Sequence, residues 1–258
     1  MQFFGKNNDF SSKSASKTKL VSKYHKTFGM NIHNNSSYIY LHGFASSPDS
    51  AKAKYFRSRF SSLGMDLKTP DLNQNDFSSL TLSRQLQQIE TEFFQTESSE
   101  SVEKVKNVGE VTMIGSSFGG LTAAWLAQRQ LSVKQIVLLA PAFQFLSHWL
   151  PVLGQQKLEK WQSEKYLPVY HYGEQRYLPL NYQFVAEMAQ YPDEKLMRPV
   201  PTLIVHGKHD TIIPIQASRS FAADRPWVQL IELEDDHSLG NVLGEIWEAM
   251  QKFCQFKN

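Results

Sequence analysis

The chain has 258 residues, of which 41% are hydrophobic, and its formal net charge is +2 at pH 7. That length and apolar content allow one large α/β domain or two small ones. The near-neutral charge argues against a polyanionic partner such as nucleic acid. The lone cysteine, Cys254, rules out an internal disulfide and fits a reducing compartment, so a cytoplasmic location is expected. A membrane span needs roughly 18 consecutive apolar residues, and no run in this sequence approaches that length. No membrane-spanning segment is therefore predicted.

Residues 1–36 differ in composition from the rest of the chain. They are rich in Ser, Lys and Asn, and Asp9 is their only acidic residue. They lack the continuous apolar stretch of a secretory signal. Their low hydrophobicity favours a disordered or loosely attached arm, with an organelle transit peptide as an alternative that the absence of arginine weakens. The folded domain is therefore predicted to cover residues 37–258.

Short β-prone runs alternate with segments of helical periodicity. Apolar spacing predicts helices over residues 50–63 and 78–95, a helix after residue 118, and a closing helix that carries Leu239, Val242, Ile246, Met250 and Phe253. This alternation predicts a mostly parallel sheet of about six strands with helices on both faces. The predicted strands are residues 37–41, 66–72, 111–114, 135–140, 201–205 and 228–233.

Residues 142–199, between the fourth and fifth predicted strands, have a different texture. Glycines and prolines interrupt them, and no strand pattern is clear. An insertion here would lie above the strand ends, so it is predicted to form a cap. Its rings would either line a pocket for an apolar acyl group or simply pack the cap onto the domain. The aromatic residues are Phe143, Phe145, Trp149, Trp161, Tyr166, Tyr170, Tyr172, Tyr177, Tyr182 and Phe184.

A G-x-S-x-G pattern joins a strand-like run to a helix-like run within residues 110–130. Gly115, Ser117 and Gly119 occupy its fixed positions. In such a corner the serine takes a strained backbone conformation that exposes its hydroxyl, and the glycines avoid a collision. Ser117 is the candidate nucleophile, whereas Ser116 is out of register with the glycines and is interpreted as the last strand residue. A Ser/Gly turn without chemistry is the alternative.

Two later strand ends supply partners for this serine. Asp210 follows a strand in HGKHDTIIP, and His237 follows the last strand in EDDHSLG. Ser, Asp, His is the order of an α/β-hydrolase triad, and parallel strands gather such loops at one edge of the sheet. Ser117 would attack, His237 would act as base, and Asp210 would orient His237.

Other residues near these positions offer alternatives. Asp235 and Asp236 adjoin His237, but sequence neighbours seldom support the ring geometrically. His209 could compete as the base, although its position better suits a structural role. A metal site is disfavoured because it would leave the serine pattern unexplained, and no metal is predicted. Its ligands would be His206, His209, His237 and Asp210.

The first predicted strand ends in His42, Gly43 and Phe44, followed by a loop of small residues. Such a loop supplies half of the oxyanion hole in many α/β hydrolases. The donors would be the backbone N–H groups of Phe44 and Phe118, each typically worth about 3–4 kcal/mol. His42 is predicted to order the loop, and an ordinary glycine turn is the alternative.

The chain also resembles a known family. YLHGFASSPDSAKA (residues 40–53) and GSSFGG (residues 115–120) resemble the small bacterial α/β-hydrolase esterases of the YqiA type, and the likeness returns at TAAWLAQR, LLAPAF and DDHSLG. It covers roughly residues 37–258, least well in the cap. The resemblance implies a serine esterase or thioesterase without a cofactor, and it places the nucleophile, acid and base at Ser117, Asp210 and His237. The arm and the cap are larger here than in the family.

These patterns together predict a serine hydrolase that cleaves a small-molecule carboxylic ester or thioester through an acyl-enzyme. A catalytically inactive binding module with the same fold is one alternative. A C–C bond or lactone hydrolase is another, because it would use the same triad.

Overall fold

A six-stranded parallel sheet forms the centre of the molecule. The computed structural model describes residues 36–94 and 109–256, so the predicted arm, apart from residue 36, lies outside the described residues. The sheet order is β2-β1-β3-β4-β7-β8, and every neighbouring pair is parallel, which confirms the predicted sheet. The strands in chain order are β1 (Ser37–Leu41), β2 (Leu67–Lys68), β3 (Val111–Ser116), β4 (Val133–Leu139), β5 (Tyr166–His171), β6 (Arg176–Asn181), β7 (Thr202–Gly207) and β8 (Val228–Leu233).

Eight α-helices connect and cover these strands in the part of the chain that the structure describes. None of them is long and apolar enough to cross a membrane. The predicted helix at residues 78–95 begins only at Leu82, because the side chain of Thr81 accepts from the N–H of Arg84 and caps the helix there. The helices are α1 (Ala51–Ser62), α2 (Leu82–Ile89), α3 (Phe118–Arg129), α4 (Phe145–Leu153), α5 (Gln155–Glu164), α6 (Gln183–Met188), α7 (Ile215–Ala223) and α8 (Leu243–Cys254).

The inner strands of the sheet bury side chains on both of its faces. Ile39 and Leu41 of β1 join one apolar cluster, which includes residues of α2, α3 and α7, while Tyr40 between them joins the other, with α1 and α8. The side chains of β4 alternate in the same way: Ile136 and Leu138 join the first cluster, and Val137 and Leu139 join the second. The central residues of β1 and β4 are thus apolar on both faces, which explains why these segments read as continuous apolar runs.

The predicted strand at residues 66–72 is mostly wrong, because only Leu67 and Lys68 pair with β1. Pro70 follows closely and has no backbone N–H to donate to a ladder.

Residues 142–199, called the insert below, contain α4, α5, α6 and an antiparallel hairpin of β5 and β6. The sequence of this segment shows no clear strand pattern, and the structure nevertheless has two strands here. Pro168 and Pro179, which read as strand breakers, lie opposite each other in this hairpin. A two-stranded hairpin has two edges, where a missing N–H is tolerated. That the insert acts as a cap stays a prediction.

The start of α3 packs directly onto the end of β1. A Cβ atom added at Gly119 would lie 2.2 Å from the carbonyl oxygen of Leu41 and 2.4 Å from that of His42. A Cβ at Gly115 would lie 2.3 Å from the carbonyl oxygen of Gly119. These atoms are backbone, so the collisions cannot be relieved by rotating a side chain, and the predicted need for both glycines is confirmed.

Replacing Gly119 by alanine should therefore lower the free energy of unfolding by about 3 kcal/mol through overpacking. Urea unfolding of the purified variant measures this. Gly244→Ala is the matched control, since nothing lies within 4 Å of a Cβ there and alanine favours a helix by up to about 1 kcal/mol. Equal stability of the two variants would contradict the packing described here.

Candidate active site

Ser117 lies at the turn between β3 and α3 with φ 53° and ψ −118°. The predicted strained backbone at this serine is confirmed, since a non-glycine residue rarely takes a positive φ. The backbone around it is fully used: its N–H donates to Leu139 (2.8 Å), and its carbonyl oxygen accepts from Gly120 (2.9 Å), Leu121 (3.2 Å) and Ala142 (3.0 Å). These bonds fix the serine from β4 and from the first turn of α3.

The structure brings the three side chains of the predicted triad together. The Oγ atom of Ser117 is 2.9 Å from Nε2 of His237, and Nδ1 of the same ring is 2.7 Å from Oδ2 of Asp210. A carboxylate only accepts, so Nδ1 carries the proton and Nε2 is left to accept from the serine hydroxyl. This is the tautomer that a general base needs.

The Asp210 carboxylate is enclosed, and its side chain is 0% exposed. Its Oδ1 atom accepts from the N–H groups of Ile212 (2.9 Å) and Ile213 (2.8 Å), while Oδ2 accepts from His237 and, at 3.0 Å, from Nε2 of His206. Burial by itself would raise the pKa of Asp210. The hydrogen bonds from His206 and His237 outweigh it and hold that pKa well below its usual range.

The loop that carries His237 reaches Asp210 because the end of β7 allows a close approach. A Cβ at Gly207 would lie 2.4 Å from the carbonyl oxygens of both Asp235 and Asp236. Two backbone hydrogen bonds also join the loops, from Lys208 to Leu233 (2.8 Å) and from His209 to Asp235 (3.0 Å). The acid loop and the base loop are therefore held side by side before their side chains meet.

Asp235 and Asp236, the sequence alternatives to Asp210, hold their own loop instead. The Asp235 side chain accepts from the N–H and from the side-chain amide of Asn241. Asp236 accepts from the N–H and the hydroxyl of Ser238, at 2.8 and 2.6 Å. Both carboxylates thus fix the backbone on either side of His237.

His209 is directed away from the serine. Its Nε2 atom is 3.0 Å from Glu234, and its side chain is 69% exposed. Within residues 36–94 and 109–256, no group of three or more His, Cys, Asp or Glu side chains could hold a metal ion. Of the four residues considered as metal ligands, His206, Asp210 and His237 are joined by hydrogen bonds and His209 lies apart.

The loop after β1 lies against Ser117, as a Cβ at Gly43 would be 3.3 Å from Cβ of Ser117 and 3.9 Å from its Oγ. His42 is buried and orders this loop: Nε2 accepts from the N–H of Leu72 (3.0 Å), and Nδ1 donates to the carbonyl oxygen of Gly43 (3.0 Å). Among the described residues, no acceptor takes a hydrogen bond from the N–H of Phe44 or Phe118. Within the described residues both N–H groups are thus available to an acceptor, and their role as oxyanion donors stays a prediction.

Aromatic side chains of the insert pack onto the same loop. The ring of Phe44 contacts Phe145, Trp149 and Phe184, with ring centroids 5.5 to 5.8 Å apart. The hairpin contributes a backbone bond from Tyr172 to the carbonyl oxygen of Ala45 (2.8 Å). Among the insert aromatics, Phe143, Trp161 and Phe184 are core residues, whereas Tyr166, Tyr170, Tyr172 and Tyr177 are exposed and fit neither expectation. That any of these rings lines an acyl pocket stays a prediction.

Lys52 lies beside the triad residues, although no catalytic motif in the sequence marks it. It lies in the first turn of α1, and its Nζ donates to the carbonyl oxygen of Ser238 (2.8 Å), next to His237. Burial lowers the pKa of Lys52 to about 8, although Asp210, Asp236 and Asp235 act in the opposite direction. The available signal was its place in the SAKA segment of the family-like opening motif.

Comparison with solved structures places this architecture among the α/β hydrolases. Est1E from Butyrivibrio proteoclasticus, solved with ferulic acid bound, aligns at 19% identity with a TM-score of 0.68, covering 86% of this chain and 90% of that one. Alpha/beta hydrolase domain-containing protein 10 from mouse aligns at 20% identity with a TM-score of 0.63, covering 86% and 92%. The Pyrococcus furiosus esterase Pf2001 aligns at 13% identity with a TM-score of 0.55, covering 86% and 83%. At these identities the likeness shows the α/β-hydrolase fold.

A family model identifies the family of the chain within the α/β-hydrolase fold. The model described as "Uncharacterised protein family (UPF0227)" matches residues 37–255. The chain therefore belongs to the UPF0227 family, which agrees with the YqiA-type resemblance of its motifs. No curated protein matches the chain.

The charge of Lys52 should make stability depend on pH. An unfolded lysine titrates near about 10.4, so between pH 8 and that value the unfolded chain binds more protons than the folded one. Stability then rises with pH. The difference in unfolding free energy between wild type and Lys52→Met should therefore increase from pH 7.5 to pH 10, as measured by urea unfolding.

Lys54→Met serves as the control, because Lys54 is on the exposed side of the same helix. Its difference from wild type should stay flat over this range. A flat difference for Lys52→Met as well would show that the ammonium group is solvated in the folded protein.

Proposed function

We propose that this protein is a serine hydrolase that cleaves carboxylic esters or thioesters through an acyl-enzyme. The observation that carries the proposal is the continuous hydrogen-bond path from Ser117 through His237 to Asp210, with distances of 2.9 and 2.7 Å. A serine hydroxyl is a weak nucleophile by itself and requires a base in this position. The strained turn and the enclosed carboxylate supply the exposure and the charge that such a site needs.

The reaction begins when the Ser117 oxygen attacks the acyl carbonyl carbon and His237 takes the hydroxyl proton at Nε2. The negative charge that develops on the carbonyl oxygen is stabilised by the free N–H groups of Phe44 and Phe118. His237 then donates its proton to the leaving alcohol or thiol, which departs from the acyl-enzyme. A water molecule, deprotonated by His237, releases the acid and restores the serine. Asp210 stays ionised throughout and stabilises the protonated ring.

The substrate in this proposal is a small molecule with an apolar acyl or aromatic group. Support comes from the aromatic side chains of the insert, which pack around Phe44 beside Ser117. Similar structures include one with ferulic acid bound and one described as an esterase. Residues 37–258 would form one hydrolase domain with residues 142–199 as its cap. A reducing location such as the cytoplasm suits the lone, buried Cys254.

Replacing Ser117 by alanine should lower kcat by on the order of 10⁴–10⁶ while the fold survives, because the nucleophile is lost. Labelling by a fluorophosphonate probe should disappear in the same variant. Both are measured on the purified protein, with circular dichroism to verify folding.

Ser116→Ala is the matched control, since Ser116 is the neighbouring serine and a buried residue of β3. It should keep its labelling. Turnover or labelling that survives in Ser117→Ala would remove Ser117 from the mechanism, and an unlabelled wild type would instead favour a binding module without an activated serine.

A panel of p-nitrophenyl and coenzyme A esters of graded acyl length should reveal the substrate class. Because apolar rings surround Phe44, activity should rise as the acyl group becomes longer or aromatic. Steady-state kcat/KM values measure this preference. A sharp optimum at acetyl esters would contradict an apolar acyl site beneath the insert.

A further inference from the structure

A second histidine binds the acid of the proposed triad. His206 is the fifth residue of β7 and is 0% exposed. Its Nε2 atom is 3.0 Å from Oδ2 of Asp210 and 2.9 Å from the carbonyl oxygen of Ile213. Both partners only accept, so Nε2 must carry a proton and donate to them.

The other nitrogen of this ring is also engaged. Nδ1 of His206 is 2.8 Å from the hydroxyl of Ser218, which is itself fully buried on α7. In the neutral ring the serine hydroxyl donates to Nδ1, which fixes the tautomer that protonates Nε2. A path of hydrogen bonds therefore runs from α7 through His206 to Asp210 and on to His237 and Ser117.

We propose that His206 is a positioning residue for the reaction, which holds Oδ2 of Asp210 in line with Nδ1 of His237. This inference rests on the proposed function. The same oxygen accepts from both histidines, so rotation of the carboxylate would break both contacts at once. Oδ1 is fixed separately by Ile212 and Ile213. The carboxylate is thus held at each oxygen, and the base has a single orientation.

His206 also helps to keep Asp210 ionised. Burial raises the pKa of Asp210, and the hydrogen bond from His206 is the first of the contacts that lower it. The other titratable groups that face Asp210 are His237, Lys52 and His148, and Glu232 faces His206. Without the His206 N–H, burial is less opposed and the pKa of Asp210 rises. Asp210 would then be protonated, and His237 left without its anion, at a higher pH than in wild type.

The test compares His206→Gln with His206→Asn and His206→Phe. The glutamine amide can place an N–H near the position of Nε2, whereas asparagine reaches only toward Ser218 and phenylalanine has no donor. The rate of fluorophosphonate labelling is measured against pH, because it reports serine reactivity without knowledge of the substrate. The asparagine and phenylalanine variants should label roughly 10- to 100-fold more slowly at neutral pH, with the acid inflection moved to higher pH. The glutamine variant should recover most of the rate.

His209→Gln is the control, because His209 lies three residues further along the chain, in the loop after β7, and is exposed. It should label like wild type. Urea unfolding separates loss of fold from loss of positioning. Folded asparagine and phenylalanine variants with wild-type rates and an unmoved inflection would overturn the proposal, as would a folded glutamine variant as slow as phenylalanine.

Ser218→Ala gives a second route if the His206 variants do not fold. It removes only the partner of Nδ1, so a smaller shift of the acid inflection in the same direction is expected. An unchanged inflection in this folded variant would overturn the proposal. A wild type that does not label would reject the proposed hydrolase itself, whereas a labelled wild type with unchanged variants rejects only the assignment of His206.

Discussion

The strained backbone of Ser117 is the constraint on which the site depends. A residue at φ 53° costs on the order of 1–3 kcal/mol, and it persists only where its surroundings fix it. Here β3 is paired on both sides, by β1 and β4, and the serine carbonyl oxygen accepts three hydrogen bonds. The absence of a Cβ at Gly119 then lets the start of α3 lie directly against the end of β1. The core of the sheet thus holds the hydroxyl in place at the end of β3, where Ser117 is half-buried.

The fold must also stabilise the buried negative charge of Asp210. An isolated carboxylate would take up a proton rather than remain ionised in an apolar interior. Asp210 escapes this because four hydrogen-bond donors converge on it, two from backbone and two from histidines. Lys52 adds a positive charge that interacts with the Asp210 carboxylate. Strain at the serine and charge at the aspartate are therefore stabilised by different parts of the sheet, β3 with its neighbours and the end of β7.

The sequence predicted the features that depend on local pattern. The strand–turn–helix corner at Ser117 follows from one apolar run and two glycines. Ser117, Asp210 and His237 each follow the end of a predicted strand, and their order along the chain is that of a hydrolase triad. The β5–β6 hairpin was missed because Pro168 and Pro179 resemble strand breakers until their pairing at a two-stranded edge is known. Lys52 and Ser238 are 186 residues apart, and no spacing rule predicts such a contact.

In the proposed mechanism, the contact between the insert and the loop after β1 would join substrate binding to rate. Phe44 has both functions in the proposed mechanism, since its N–H would hold the oxyanion while its ring packs against Trp149 and Phe184 of the insert. The hairpin is tied to the next residue of the loop through Ala45. Any change in the insert that moves this ring also moves a donor beside Ser117, where small displacements are costly. Acyl preference and turnover would then be coupled through the backbone of one residue, because the same phenylalanine forms part of both surfaces.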